Sequence, residues 1–153
     1  MKRLYAVALA ALATALFALP ALAGGPFDSF RGSRAGGGSV TFVNGQTETI
    51  RCTRRGSPNG NSLSLTMRCA SASFKVDMSC NLTASGTHVS GSCHESNYGV
   101  GIRLNGSISG STIHVRVATD AGSSGTLTMP ARGGLALISA NAKVARRLVA
   151  NLD

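Results

Sequence analysis

The amino-acid sequence predicts an all-β protein: an antiparallel up-and-down meander of about eight strands, closed into a barrel and followed by a short C-terminal helix. Three observations support this fold class. Apolar and polar residues alternate in short runs from Ser39 onward, glycine-containing turns separate the runs, and the four cysteines fall where neighbouring strands would face each other. Side chains two positions apart share one face of a strand, so these runs predict a sheet with one buried face.

The alternating runs define eight apolar rows, all assigned to the inner face. They are Val40 and Phe42; Ile50 and Cys52; Leu63, Leu65, Met67 and Cys69; Phe74, Val76, Met78, Cys80 and Leu82; Val89, Gly91 and Cys93; Val100, Ile102 and Leu104; Ile113, Val115 and Val117; and Leu127 and Met129. A closed barrel would bury this face and leave no exposed strand edge, and a two-sheet sandwich is the alternative.

The predicted hairpins decide how the cysteines pair. Two-residue turns at Gly60-Asn61 and Gly86-Thr87 place cysteines at directly opposed positions of adjacent strands. A four-residue loop over 59–62 leaves the first register unchanged. Because opposed inward positions suit a disulfide, the predicted pairs are Cys52–Cys69 and Cys80–Cys93. The cysteine spacing contains no C-x-x-C pair, which argues against a zinc site.

Residues 1–23 have the features of a cleavable signal peptide. Met1-Lys2-Arg3 is positive, the run 4–19 is apolar, and Ala21-Leu22-Ala23 after Pro20 is a small-x-small cleavage pattern. The apolar run is too short and alanine-rich for a permanent span, so no transmembrane segment is expected after cleavage. An even cysteine count in an exported chain indicates an oxidising compartment. The predicted location is therefore periplasmic or secreted.

The remaining chain divides into three predicted parts. Residues 24–38 form a glycine-rich N-terminal segment, residues 39–140 form the barrel domain, and residues 141–153 form a short amphipathic helix. The helix is predicted because Val144, Leu148 and Leu152 recur every four residues.

The chain is basic, with a formal net charge of +9 that becomes +7 when Lys2 and Arg3 are removed. This charge favours anionic partners, here an anionic component of the cell envelope, or provides solubility alone. Nucleic acid is not expected, since the few aromatic residues cannot supply a stacking platform.

Three cations, Arg51, Arg68 and Lys75, are predicted at outward positions of three consecutive strands, and Arg54 and Arg55 lie just beyond them. These five residues form the predicted basic outer face. If the turn lies at Ser71-Ala72, Arg68 directly opposes Lys75, which costs a little stability. The alternative is an ordinary solvated strand face.

No catalytic residue, cofactor or metal site is predicted, and the chain is not expected to be an enzyme. The sequence has no G-x-S-x-G motif, no phosphate-binding glycine loop and no carboxylate pair with a favoured spacing. Its histidines, His88, His94 and His114, fall at outward or turn positions. Glu48 is the one acidic residue predicted to face the interior near a rim, because a three-residue loop after Phe42 preserves the facing of the next strand. It is a candidate for binding a cationic or hydroxylated ligand, and the alternative is a rim carboxylate that meets water or arginine.

Four motifs resemble a family of small exported, mainly alphaproteobacterial proteins that are largely uncharacterised. The motifs are Phe30-Arg31-Gly32-Ser33-Arg34-Ala35-Gly36-Gly37-Gly38, Gly45-x-x-Glu48-x-Ile50-x-Cys52, Leu65-x-Met67-x-Cys69-Ala70 and Gly91-Ser92-Cys93-x-Glu95. The resemblance extends from Phe30 to about Gly110 and implies a lipocalin-like β-barrel. The family pattern has Trp at the positions of Arg34 and Cys93, and this chain has no Trp. The resemblance therefore implies that Cys80–Cys93 is an additional bridge beside a more typical Cys52–Cys69.

These features together predict a non-catalytic binding protein for a small apolar or amphipathic ligand. The alternatives are an envelope interaction or inhibitor protein that uses the basic outer face, and a purely structural envelope protein.

Overall fold

The structure, a computed structural model, describes residues 24–153, so the predicted signal peptide lies outside the described residues. A 3-10 turn (Asp28–Phe30) precedes ten antiparallel strands. The strands are β1 (Gly32–Phe42), β2 (Thr47–Asn59), β3 (Ser62–Ala70), β4 (Lys75–Ser85), β5 (His88–Glu95), β6 (Val100–Ser109), β7 (Thr112–Thr119), β8 (Ser124–Pro130), β9 (Gly133–Ser139) and β10 (Ala145–Leu152). Each strand pairs with the next, and β1 pairs with β10, so the meander closes into a barrel and the sandwich alternative is wrong. Within residues 24–153, no helix has the length and hydropathy to cross a membrane.

The eight predicted rows correspond to β1–β8, and the C-terminal part of the chain adds two strands. The predicted helix at 141–153 is wrong, because this segment contains β10. Leu148 and Leu152 share a face in a helix and also in a strand, since a spacing of four fits both periods. The segment forms a strand rather than a helix because it hydrogen-bonds to the edges of both β1 and β9. This pairing buries Leu148, Ala150 and Leu152.

The closing seam between β1 and β10 depends on the glycines of β1. This strand begins at Gly32, inside the segment predicted to precede the barrel. Gly38 lies opposite Ala150, and a Cβ on Gly38 would overlap the carbonyl oxygen of Val149. Gly36 is similarly close to the backbone of β10. The glycines therefore allow the two backbones to approach closely. Because glycine has no side chain, this part of β1 shows no alternation of apolar and polar residues, and the sequence did not predict it as a strand.

Both predicted disulfides are confirmed. Their cysteines are directly opposed on adjacent strands, with Cα–Cα distances of 4.1 Å for Cys52–Cys69 and 4.0 Å for Cys80–Cys93. All four residues are buried on the inner face. Chain-entropy arguments assign about 3 kcal/mol to a bridge that closes a loop of this size. The bridges thus tie β2 to β3 and β4 to β5 inside the core.

The two ends of the barrel differ in the length of their loops. At the base, two-residue turns join the strands, and Gly60, Gly86 and Gly110 adopt positive φ at the first turn position. At the mouth, the loops have four or five residues and span 43–46, 71–74, 96–99, 120–123 and 140–144. In the first of these loops the Phe42 N–H donates to the Gln46 carbonyl at 2.8 Å, so only the three residues 43–45 lie between the last hydrogen-bonded positions, as the sequence predicted. Short turns draw the base together, while the longer loops leave the mouth open.

A side-chain plug closes the base. Phe27 and Phe30, beside and within the 3-10 turn, are buried, and the Arg54 guanidinium lies 5.1 Å from the centre of the Phe30 ring. Arg54 donates to the carbonyl oxygens of Pro130 at 2.9 Å and Ala131 at 2.5 Å. The plug thereby joins the N-terminal turn, β2 and the end of β8.

Arg54 is therefore not part of the basic outer face, and its predicted surface role is wrong. It shares the inner face of β2 with Ile50 and Cys52, and only 2% of it is exposed. Burial lowers the pKa of Arg54, and the nearby charge of Arg34 lowers it further. Backbone carbonyls, a stacked ring and the intrinsically high basicity of guanidinium allow the charge to remain.

Gly38→Ala should strongly destabilise the barrel, by about 3 kcal/mol or more, because the added methyl group must displace the backbone of β10. Gly37→Ala is the matched control. Its Cβ would point outward, with the carbonyl oxygen of Ile50 at an ordinary 3.6 Å, so a change of about 1 kcal/mol or less is expected. Urea unfolding of both variants measures the difference, and equal losses would contradict the close approach at the seam.

Arg54→Met should lower the free energy of unfolding by about 2–4 kcal/mol, because two buried carbonyl groups lose charged donors. Arg55→Met at the neighbouring exposed position should change it by about 0.5 kcal/mol or less. Urea unfolding of both variants compares the inward and outward arginines. If Arg55→Met were the more harmful change, the plug assignment would fail.

Candidate ligand cavity at the barrel mouth

A cavity of 320 Å³ opens at the mouth, and its lining is mostly apolar. The aliphatic side chains that surround it come from strands on several sides of the barrel, and they include Val76, Met78, Val100, Ile102, Val117 and Leu148. Ligand pockets for small molecules range from about 300 to 1,000 Å³. The cavity is therefore large enough for a small ligand.

Side chains fill the interior below the cavity except for one small void. A separate void of 50 Å³ lies deeper and is surrounded by apolar residues and the Cys80–Cys93 bridge. Met78, Ile102, Val117 and Leu137 contribute to the walls of both spaces. A void of this size without polar partners does not hold water stably. The barrel is thus packed from the base to mid-height and open above.

Three aromatic residues form one wall of the mouth. The ring centroids of Phe42 and Phe74 are 5.8 Å apart in an edge-to-face arrangement, and those of Phe74 and Tyr98 are 6.2 Å apart and stacked. Tyr98 is 53% exposed, so the row extends from the core to solvent. Aromatic surfaces of this kind provide a large apolar contact at a low cost in side-chain entropy.

Glu95 is the buried acidic residue of the cavity wall, and sequence analysis did not select it. Its carboxylate accepts hydrogen bonds from the backbone N–H groups of Asp77 (2.9 Å), Asn97 (3.1 Å) and Tyr98 (2.7 Å), and from the Asn97 side chain (3.0 Å). Burial alone would raise the pKa of Glu95, but these donors together lower it. Glu95 therefore stays ionised and shapes the 96–99 loop. Glu95 lies two positions after the inward-facing Cys93 on β5, and this spacing could have predicted from the sequence that it faces inward.

Glu48 lies on the inner face at the rim, opposite Val40, but it does not line the cavity. Its carboxylate accepts from the Ser71 hydroxyl at 2.5 Å, and from the Ser73 hydroxyl and backbone N–H at 2.5 and 3.1 Å. The hydrogen bonds from Ser71 and Ser73 lower the pKa of Glu48. Glu48 thus fastens the 71–74 loop to β2, and its role in ligand binding stays a prediction.

The basic outer face is smaller than the sequence suggested. Arg51, Arg55 and Lys75 are exposed on the outer surface, but Arg68 Nε lies 3.3 Å from the Asp77 carboxylate. The predicted opposition of Arg68 and Lys75 is wrong. The loop between β3 and β4 has four residues rather than two, which places Lys75 opposite Ala70. The resulting register pairs opposite charges where the shorter turn would have paired like charges.

The histidines do not assemble into a site. All three are exposed: His88 and His94 lie near opposite ends of β5, and His114 lies on β7. Within residues 24–153, no three residues of the types His, Cys, Asp and Glu are grouped so that they could hold a metal ion.

Glu95→Gln should lower the free energy of unfolding at neutral pH by about 1–3 kcal/mol, because a charged acceptor of buried N–H groups is lost. The lowered pKa of Glu95 means that its contribution is complete above its usual value of 4.5 and is lost as the pH falls below it. Urea unfolding across this range should show a flatter acid dependence for Glu95→Gln. Asp120→Asn, at an exposed mouth carboxylate, is the control, and an equal loss there would contradict the special role of Glu95.

Comparison with known proteins shows the fold alone. No protein-family model and no curated protein matches the sequence. Among solved structures, the chain is similar to Rv2717c from M. tuberculosis, with a TM-score of 0.59 and 12% sequence identity over 82% of this chain and 92% of that protein. Two chains with so little sequence in common share the closed barrel, so this likeness places the present chain among all-β barrel proteins.

Proposed function

We propose that this chain is a non-catalytic, exported binding protein that holds a small apolar or amphipathic molecule in the mouth of its barrel. The apolar cavity of 320 Å³ carries the proposal. It opens to solvent on one side and is closed below by a packed core, as a binding site for a small molecule requires.

The polar groups of the mouth support binding rather than catalysis. Glu48 and Glu95 accept hydrogen bonds from groups of the chain itself, so their carboxylates fix the 71–74 and 96–99 loops in position. General acid–base chemistry needs a titratable group with a pKa near the working pH, whereas both of these pKa values are lowered. The cavity therefore offers shape and apolar contact, which suits an uncharged or amphipathic ligand.

The disulfides and the N-terminal sequence support the proposed location. Two buried disulfides and the absence of free cysteines in the described residues indicate an oxidising compartment outside the cytoplasm. The signal-peptide pattern of residues 1–23 is the basis for proposing the periplasm or secretion. Membership of the lipocalin-like family named above stays a prediction that depends on the four motifs.

The proposal predicts that an uncharged apolar dye, N-phenylnaphthylamine, binds the oxidised protein, and that Val117→Phe weakens binding at least tenfold. Val117 lines both the cavity and the void beneath it, so a larger side chain there occupies ligand space. A tenfold change corresponds to about 1.4 kcal/mol. Fluorescence titration measures the affinity, and urea unfolding checks that the variant is folded.

Ala118→Phe is the matched control, because Ala118 is the next residue of β7 and is exposed on the outer surface. Its affinity for the dye should stay within about twofold of the unmodified protein. Added salt should also leave the affinity unchanged, because the interaction is apolar. Equal effects of the two substitutions, or no dye binding at all, would overturn the proposed cavity function.

A further inference from the structure

The exposed apolar residues of the barrel are concentrated at one sector of its mouth. Among the described residues, four large hydrophobic side chains are strongly exposed, and three of them, Val43 (46%), Ile138 (47%) and Val144 (47%), belong to this sector. Val43 and Val144 lie in neighbouring mouth loops that are joined by a hydrogen bond from the Val43 N–H to the Val144 carbonyl at 3.0 Å. Exposed apolar surface is unfavourable in water, so a partner that buries these side chains would gain hydrophobic free energy.

Three cations lie among these apolar side chains. Lys143 precedes Val144 in the same loop, and Arg146 and Arg147 are the second and third residues of β10. Arg147 lies opposite Ile138 on the neighbouring strand. We call the six residues the rim patch, which comprises Val43, Ile138, Lys143, Val144, Arg146 and Arg147.

The rim patch contains no carboxylate that would neutralise these cations. The acidic residue of the adjacent 120–123 loop, Asp120, accepts a hydrogen bond from the Gly101 N–H at 3.1 Å on the side of β6. Lys143 is oriented by donating to the Ala121 carbonyl at 2.9 Å. The patch therefore combines positive charge and exposed apolar surface within one sector.

We propose that the rim patch docks on the surface of an anionic lipid bilayer. Apolar side chains that enter the boundary between headgroups and acyl chains, with Lys and Arg beside them, are the features that hold peripheral proteins on such membranes. The basic outer face has a different character, since Arg51, Arg55 and Lys75 have no strongly exposed large hydrophobic residue beside them. Charge alone would favour any anionic partner, whereas the rim patch also favours a partner with an apolar interior.

Docking at this sector would place the cavity directly against the bilayer. Lys143, Val144 and Arg147 belong to the rim patch and also line the cavity. An amphipathic molecule could then pass between bilayer and barrel without crossing bulk water. This transfer step depends on the proposed cavity function, but docking itself requires only the rim patch.

The test is sedimentation of the oxidised mature chain with vesicles of phosphatidylcholine, with and without phosphatidylglycerol. The unmodified protein should bind only the vesicles that contain phosphatidylglycerol. Arg146→Gln with Arg147→Gln should lower the bound fraction at least tenfold, since each cation near an anionic surface contributes several-fold to binding. Val43→Ser with Ile138→Ser, which keeps the charge and changes no residue of the cavity wall, should also lower it several-fold.

Arg55→Gln with Arg132→Gln is the control, because it removes the same charge from exposed residues near the base. It should change vesicle binding by less than about threefold, since salt screens charges remote from the bilayer. The proposal is overturned if the control falls as far as the rim variants, if the serine variant binds normally, or if no vesicles are bound. The proposal would also be overturned if sedimentation velocity showed a dimer of the unmodified chain and a monomer of the rim variants, because the rim patch would then join two copies of the chain.

Val43→Ser with Ile138→Ser, at two rim-patch residues that do not line the cavity, should lose vesicle binding but still bind N-phenylnaphthylamine in solution. Val117→Phe should instead lose dye binding but still sediment with anionic vesicles. These opposite patterns distinguish failure of the docking surface from failure of the cavity.

Discussion

The whole structure depends on the pairing of β1 with β10. An antiparallel meander with one apolar face leaves two unpaired edges, and only their union satisfies the backbone groups of both and encloses the core. The union requires close approach, which Gly36 and Gly38 permit by having no side chain on the inner face. Because closure fixes the interior space, it also determines how much room remains for a ligand.

The contrast between base and mouth follows from how each end satisfies its polar groups. At the base, two-residue turns and the Phe30–Arg54 stack leave little space, and the buried cation is compensated by backbone carbonyls. At the mouth, Glu48 and Glu95 accept hydrogen bonds from backbone N–H groups of the longer loops and of β4. The carboxylates thus fix the positions of the 71–74 and 96–99 loops at the mouth.

The sequence predicted the all-β class, both disulfides and the register of several hairpins, because those properties depend on local alternation and on turn length. It missed β10, whose residue spacing fits a helix and a strand equally well, and it missed the start of β1, whose glycines carry no alternation. It also grouped Arg54 with the basic outer face, although its position in the alternation with Ile50 and Cys52 indicated the interior. For the site, it selected Glu48 as an inward rim residue but not Glu95, which lines the cavity.

The sequence by itself determined which apolar residues face inward along β2–β8 and which cysteines can meet, since a two-residue period and short turns suffice to specify them. Only the tertiary structure decided that the sheet closes, that β10 is a strand, and that an apolar cavity remains at one end. Those properties depend on partners distant in the chain: β10 is a strand because β1 and β9 offer it hydrogen-bonding edges, and the cavity exists because the packed side chains fill only the lower part of the barrel.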